Sequence, residues 1–214
     1  GEPAVDAHSE QDELDKLKAW WKTYGNSLIA GVVLGVAILV GGKYWTQHQN
    51  SQREEASALY EDMLTAARER KGDQLATLAG RLQKEYARTP YAGMGALLAA
   101  RTHFDAGNAE AARQQLDWAV QNARHEPTVH VARLRLARLH AAGGRLDAAL
   151  ALIPAKDLGG FETEYHELKG DLLLAQGKHQ EARLAYRQAI RQQRDLGPHR
   201  QVLRMKLADL GDST

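Results

Sequence analysis

Gly170-Asp-Leu-Leu-Leu-Ala-Gln-Gly177-Lys-His-Gln-Glu181-Ala182-Arg-Leu-Ala-Tyr186-Arg-Gln-Ala189 holds one complete structural unit. The residues on both sides of Gly177-Lys178 are mostly Leu, Ala, Gln, Glu and Arg, the strong helix formers. Gly177 stands between the two runs, where the residue after a helix end adopts a left-handed conformation that only glycine takes without strain. In the second run Ala182, Tyr186 and Ala189 share one helix face, spaced by four and three. Small residues at 170 and 182 let two helices touch once the chain has reversed. The stretch reads as an antiparallel helical hairpin.

The unit recurs. Gly72, Gly107, Gly143 and Gly177 each separate two helical patterns, at spacings of 35, 36 and 34 residues. Ala112, Ala148 and Ala182 follow three of these glycines by five positions; the first has Thr77 there. Leu116 and Ala119 repeat the pattern in one unit, and Leu139, Leu152 and Ala155 in the next, while the first is degenerate and ends at Thr89-Pro90. A single hairpin cannot bury its apolar face alone, so units of this period stack. Small residue, glycine turn, Glu-Ala, aromatic, alanine is an order that resembles the tetratricopeptide pattern. Helices are predicted over about 74–88, 91–105, 109–123, 128–142, 145–153, 161–176, 179–193 and 199–209, the last closing the stack. A further helix runs up to Arg70, with Ala56, Leu59, Tyr60, Met63, Leu64 and Ala67 on its apolar stripe. Residues 153–160 read as a loop, and residues 1–10, polar and acidic, as disordered.

Ahead of the repeats lie twenty residues without a charge, from Thr23 to Gly42. As a helix they reach about 30 Å, the thickness of a bilayer's hydrocarbon core. Trp20, Trp21 and Tyr24 flank one end, Tyr44 and Trp45 the other. Indole and phenol rings favour the headgroup level, apolar in body and wet at one edge, so these five read as interface anchors in a lipid bilayer. Bulky residues just after the apolar run argue against a cleaved signal peptide. Gly31-Val-Val-Leu-Gly35, with Gly42 on the same side, would let another membrane helix approach closely. Lys16, Lys18 and Lys22 precede the span and Lys43 and Arg53 follow it, a small positive-inside bias toward a cytoplasmic N-terminus. The expected organisation is a head over 1–22, a transmembrane signal-anchor over 23–45 and a periplasmic domain over 46–214. The fold class is all-α: an N-terminal single transmembrane helix followed by a tetratricopeptide-like helical-hairpin solenoid.

Composition excludes more than it assigns. The chain has no cysteine, so disulfides, thiolate catalysis and cysteine-ligated zinc are out. Net charge is +1 and aromatic residues are 6%, a poor match for a nucleic-acid surface. His125-Glu126 and His166-Glu167 lack the second histidine of a zinc-protease helix, and no nucleophile elbow occurs. No catalytic or metal-binding residue and no cofactor is expected. Arg133, Arg135 and Arg138 read as a solvated helix face.

In stacked helix pairs the first helix of each pair lines the concave face. That places Met94, Leu97, Arg101 and Phe104 there from one unit, His130, Arg133, Ala137 and His140 from the next, and Glu164, Glu167, Asp171 and Leu174 from the third. The wall is apolar, then basic, then acidic, which suits an extended or partly folded polypeptide.

Trp20-Trp21-Lys-Thr-Tyr-Gly25-Asn, Gly31-Val-Val-Leu-Gly35, Gly42-Lys43-Tyr44-Trp45 and His48-Gln49 resemble the YfgM-like proteins of Gram-negative bacteria. Ala58-Leu-Tyr60, Thr89-Pro90-Tyr91-Ala-Gly93, Gly170-Asp171 with Gly177, and Met205-Lys206-Leu207 extend the resemblance along the chain. It implies an inner-membrane, single-pass protein with a cytoplasmic N-terminus and a periplasmic solenoid. It further implies an ancillary subunit of the SecYEG translocon that associates with a PpiD-like membrane-anchored chaperone and with secreted client polypeptides. The resulting expectation is a non-enzymatic, membrane-anchored adaptor. A structural scaffold for another cell-envelope or division complex is the alternative.

Overall fold

The computed structural model describes residues 6–192 and 197–211, with side chains from residue 14 onward. Among the described residues there are nine helices and no strand. They are α1 (Asp6–Arg68), α2 (Gly72–Glu85), α3 (Pro90–Asp105), α4 (Ala109–Asn122), α5 (Glu126–Ala142), α6 (Leu146–Ala151), α7 (Glu162–Ala175), α8 (His179–Gln192) and α9 (Pro198–Ala208). The chain divides into two compact units, residues 1–51 and 52–214. Helix α1 runs without a break through the positions at which the sequence suggests separate head, span and domain. The expectation of disorder fails for residues 6–10, which are helical in α1; residues 1–5 lie outside the described residues.

The second unit is a stack of four hairpins, α1–α2 (from residue 52), α3–α4, α5–α6 and α7–α8, closed by α9. All four hairpins turn in the same way. The left-handed residues are Arg70, Gly107, Gly144 and Gly177, with φ of 57°, 79°, 76° and 74°. At each turn the left-handed residue donates its N–H three residues back, and the next residue donates five back: Gly107 to Phe104 and Asn108 to His103, both at 2.9 Å, for instance. This paired closure satisfies carbonyls that the helix end would otherwise leave open. The register therefore differs from the sequence reading at two turns. Gly72 is the first residue of α2, and Arg70 carries the left-handed strain instead; in the third hairpin Gly144 turns, not Gly143. With that correction the fifth residue after every left-handed position is buried: Leu75, Ala112, Ala149 and Ala182. Ala149, not Ala148, is thus the contact residue of the third hairpin; Ala148 is exposed.

Four apolar clusters follow one another along the stack. Ala56, Leu59, Met63 and Ala66 of α1 pack on Leu75, Leu78 and Leu82 of α2. Trp118 touches this cluster and the next, which joins α3, α4 and α5 through Ala96, Ala100, Leu116 and Leu136. Leu152 and then Leu150 link onward to the clusters under α7, α8 and α9. Helix α6 has six residues where α2, α4 and α8 have 14 each. The loop after it covers the gap, with Ile153, Leu158 and Phe161 packed against Leu134, Tyr165 and Leu168.

Candidate functional site

Two surfaces stand out, one on each unit. In the first, Leu28, Ile29, Val32, Val33, Leu34, Val36, Ile38, Leu39 and Val40 are all exposed, as are Trp20, Trp21, Tyr24, Tyr44 and Trp45 at the two ends. A contiguous apolar surface of this extent is not left to water; it marks a membrane or partner surface. α1 is the one described helix long and apolar enough to cross a membrane. Gly31, Gly35 and Gly42 have open space where a Cβ would stand, so their side of the helix is free to receive a neighbour. Gly25 differs: the Trp21 indole lies over it, 3.3 Å from where its Cβ would be.

In the second unit, a cavity of about 400 Å³ opens between the C-terminal ends of α3 and α5 and the first turns of α4. Its floor is Ala100, Ala112, Leu116 and Leu139, all buried, and its exposed rim is Arg101, Phe104, Arg135, Arg138 and Ala142. Phe104 is 54% exposed, although the helix that carries it buries six alanines and glycines over the preceding turns. Arg101 is held by Asp105, Nε to Oδ2, at 2.7 Å. Burial, together with the neighbouring charges of Arg101 and Arg138, pushes the Arg135 guanidinium below the ordinary arginine range.

The twelve groove residues read from the sequence do not form one wall: Ala137 is no groove residue but is buried in the cluster with Tyr165 and Leu168, and Leu174 is exposed on α7. Arg101 and Phe104 meet at the cavity; Met94 is exposed farther back on α3, and Leu97 is half-buried against the second cluster. Arg133 lines a separate shallow depression with Glu126, Val129, Pro154 and Lys156. Glu164 is half-buried on the first turn of α7.

His130 borders the same depression as Arg133 but offers it almost no surface. It is 3% exposed, bonded through Nδ1 to the Tyr165 hydroxyl at 2.9 Å and stacked on Phe161, with ring centroids 5.2 Å apart. Gly159 closes over it so tightly that a Cβ there would stand 2.5 Å from His130 Nε2. The loop after α6 needs a flat partner to pack on, and His130 supplies it. His140 is half-buried away from the cavity; burial, then Arg145, lowers its pKa.

Glu167 and Asp171 are likewise occupied within the fold. Lys206 of α9 reaches Glu167 Oε1 at 2.8 Å and Asp171 Oδ1 at 2.7 Å, and His199 reaches Glu167 Oε2 at 2.9 Å. The Tyr186 hydroxyl donates to Asp171 Oδ1 at 2.7 Å. Burial alone would raise the Glu167 carboxyl, but the hydrogen bond and charge from Lys206, aided by His199, outweigh it and hold the group below the usual carboxylate range. The acidic end of the wall is the seat of the capping helix.

Arg135 and Arg138 are exposed, as a solvated helix face requires, and they also stand at the rim of the cavity, which the sequence reading did not foresee. The missed signal was Arg135, Arg138 and Ala142 at i, i+3 and i+7, one face of α5 level with Phe104. Among the described residues no group of three or more His, Asp or Glu side chains is placed to hold a metal ion.

Residues 18–212 match the tetratricopeptide repeat-like domain family. The chain is 30% identical to the ancillary SecYEG translocon subunit of Escherichia coli, covering 94% of this chain and 97% of that protein. It is 31% identical to the protein of that name in Neisseria gonorrhoeae, again covering 94% and 97%. In fold it is similar to a Podosopora anserina protein of nearly identical TPR-like repeats, with TM-score 0.51 and 20% identity over 76% of this chain and 85% of that one. The chain therefore belongs to the tetratricopeptide repeat-like family that includes these ancillary SecYEG translocon subunits.

Proposed function

We propose that the protein is an ancillary, membrane-anchored subunit of the SecYEG translocon, acting by binding and not by catalysis. The observation that carries this reading is the similarity to proteins of that name, which extends over the apolar helix as well as the repeats. Residues 23–45 of α1 cross the inner membrane with the N-terminus in the cytoplasm, and Gly31, Gly35 and Gly42 form the face on which a translocon helix packs. The solenoid lies in the periplasm and binds a membrane-anchored chaperone or an emerging chain. Tethering keeps its binding surface at the exit at an effective concentration on the order of mM.

Photocrosslinking in intact membranes tests this, with one probe at Leu34 and one at Phe104. Translocon adducts at Leu34, with chaperone or secreted chains at Phe104, are expected. A single envelope protein outside the translocon at both positions would refute the reading and favour a scaffold.

A further inference from the structure

We propose that the cavity between α3, α4 and α5 docks an extended, acidic polypeptide segment that inserts one apolar side chain over its floor. The inference rests on the solenoid being a protein-binding module and adds the chemistry of what it takes. Three guanidinium groups, from Arg101, Arg135 and Arg138, surround the opening, and Asp105 neutralises only the first. Arg135 and Arg138 have no carboxylate partner among the described residues. By contrast, Arg113 on α4 is bracketed by Glu110 and Asp117, the latter at 2.6 Å. Like charges gathered around one apolar opening repel one another, and a ligand that brings carboxylates relieves that cost. Guanidinium groups hold carboxylates in paired, directional hydrogen bonds.

The apolar part of the site sets the second requirement. Phe104 stands open beside a floor of alanine and leucine, the form of an aromatic anchor awaiting a partner side chain. At about 400 Å³ the cavity is at the small end of ligand sites, room for one or two side chains. Spread around the rim, the two unpartnered arginines call for at least two carboxylates on either side of the anchor. A run of acidic residues interrupted by one Phe or Leu meets both demands; a single-headed lipid meets only one.

The test uses the full chain in nanodiscs of zwitterionic lipid and a fluorescein-labelled Ser-Glu-Asp-Phe-Glu-Asp-Ser peptide, read by anisotropy. Replacing both Arg135→Gln and Arg138→Gln should weaken binding about tenfold or more, the scale of one charge-assisted contact. Phe104→Ser should weaken it about fivefold, as should alanine in place of the peptide's Phe. Exchanging the peptide's acids for Lys should abolish binding. If the Gln pair melts early, Arg135→Lys with Arg138→Lys decides, since it keeps charge, loses the paired geometry and should bind with intermediate strength. Equal binding of acidic and Lys peptides, or unchanged affinity in both arginine pairs, overturns the proposal. So does laurate displacing the peptide and binding more tightly, which would assign the site to an anionic amphiphile. Failure here with translocon adducts at Leu34 intact refutes the docking site alone; loss of those adducts refutes the translocon reading separately.

Discussion

One substitution, made at two glycines, should change stability in opposite directions. Gly170 on α7 faces Tyr186 on α8, and a Cβ there would stand 2.5, 2.6 and 2.9 Å from ring atoms Cε1, Cδ1 and Cζ. Carbon atoms in good contact lie about 3.5–4.0 Å apart, so Gly170→Ala forces the helices to part by roughly 1 Å. The ring cannot swing aside, because Tyr186 is fully buried and tied through its hydroxyl to Asp171. Overpacking of this kind costs about 1–3 kcal/mol, and a rigid aromatic neighbour places it at about 3. Replacing glycine by alanine inside a helix returns about 1 kcal/mol, leaving a net loss of about 2 kcal/mol. For a chain of this size that lowers Tm by about 4–8 °C. Gly80 in α2 is the control: it is exposed, and a Cβ would meet nothing within 4 Å. Gly80→Ala should therefore gain about 1 kcal/mol and raise Tm by about 2–4 °C. Thermal unfolding of the full chain, followed by far-UV circular dichroism, measures both. Equal shifts of one sign, or a Gly170→Ala protein as stable as the parent, would refute the close approach of α7 and α8.

Lys206→Ala should cost about 1–2 kcal/mol, by leaving Glu167 half-buried without its cation, and amide exchange should rise in α9 before any other helix. Acid should act on the same contact. Glu167 has a lowered folded pKa, so its contribution is complete above the unfolded value of about 4.3 and is lost as pH falls through the folded value; exchange in α9 should accelerate over that window. His140 sets an earlier slope. Its folded pKa is lowered, so the unfolded chain takes the proton first, stability falls as pH drops below about 6.5, and His140→Gln should flatten a plot of Tm against pH there. Gly31→Leu with Gly35→Leu should reduce co-purification with the membrane partner while the melting of the solenoid stays unchanged; unaltered co-purification would place the contact on the solenoid instead.

The architecture was legible because its determinants are local. Glycines at a period near 35 announce helix ends, and alanines five residues on announce where two backbones touch. The apolar run between aromatic flanks is equally local, since nothing in the rest of the chain is needed to read it. What was lost depends on pairing between distant elements. Nothing near Arg70 shows that a non-glycine residue bears the left-handed turn while Gly72 starts the next helix, because the turn closure that selects it is the same for both registers. His130 looks like Arg133, three residues away on α5, until the loop carrying Gly159 and Phe161 folds over one and not the other. Glu167 and Asp171 look like an open acidic wall until α9 brings Lys206 across 35 residues or more. The arginines of the cavity were visible as residues and invisible as a site, because Phe104 joins them only when α3 and α5 lie side by side.

The short α6 has a mechanical consequence. A stack in which each layer touches only its neighbours bends where its section is thinnest. Here one layer is missing more than half of its second helix, and a loop with left-handed backbone at Asp157, Gly159 and Gly160 stands in for it. Any flexing of the stack should therefore concentrate in that layer, with the hairpins on either side moving as stiffer arms about it. A protease that enters this loop would leave three hairpins on one side of the cut and the fourth, with the capping helix, on the other.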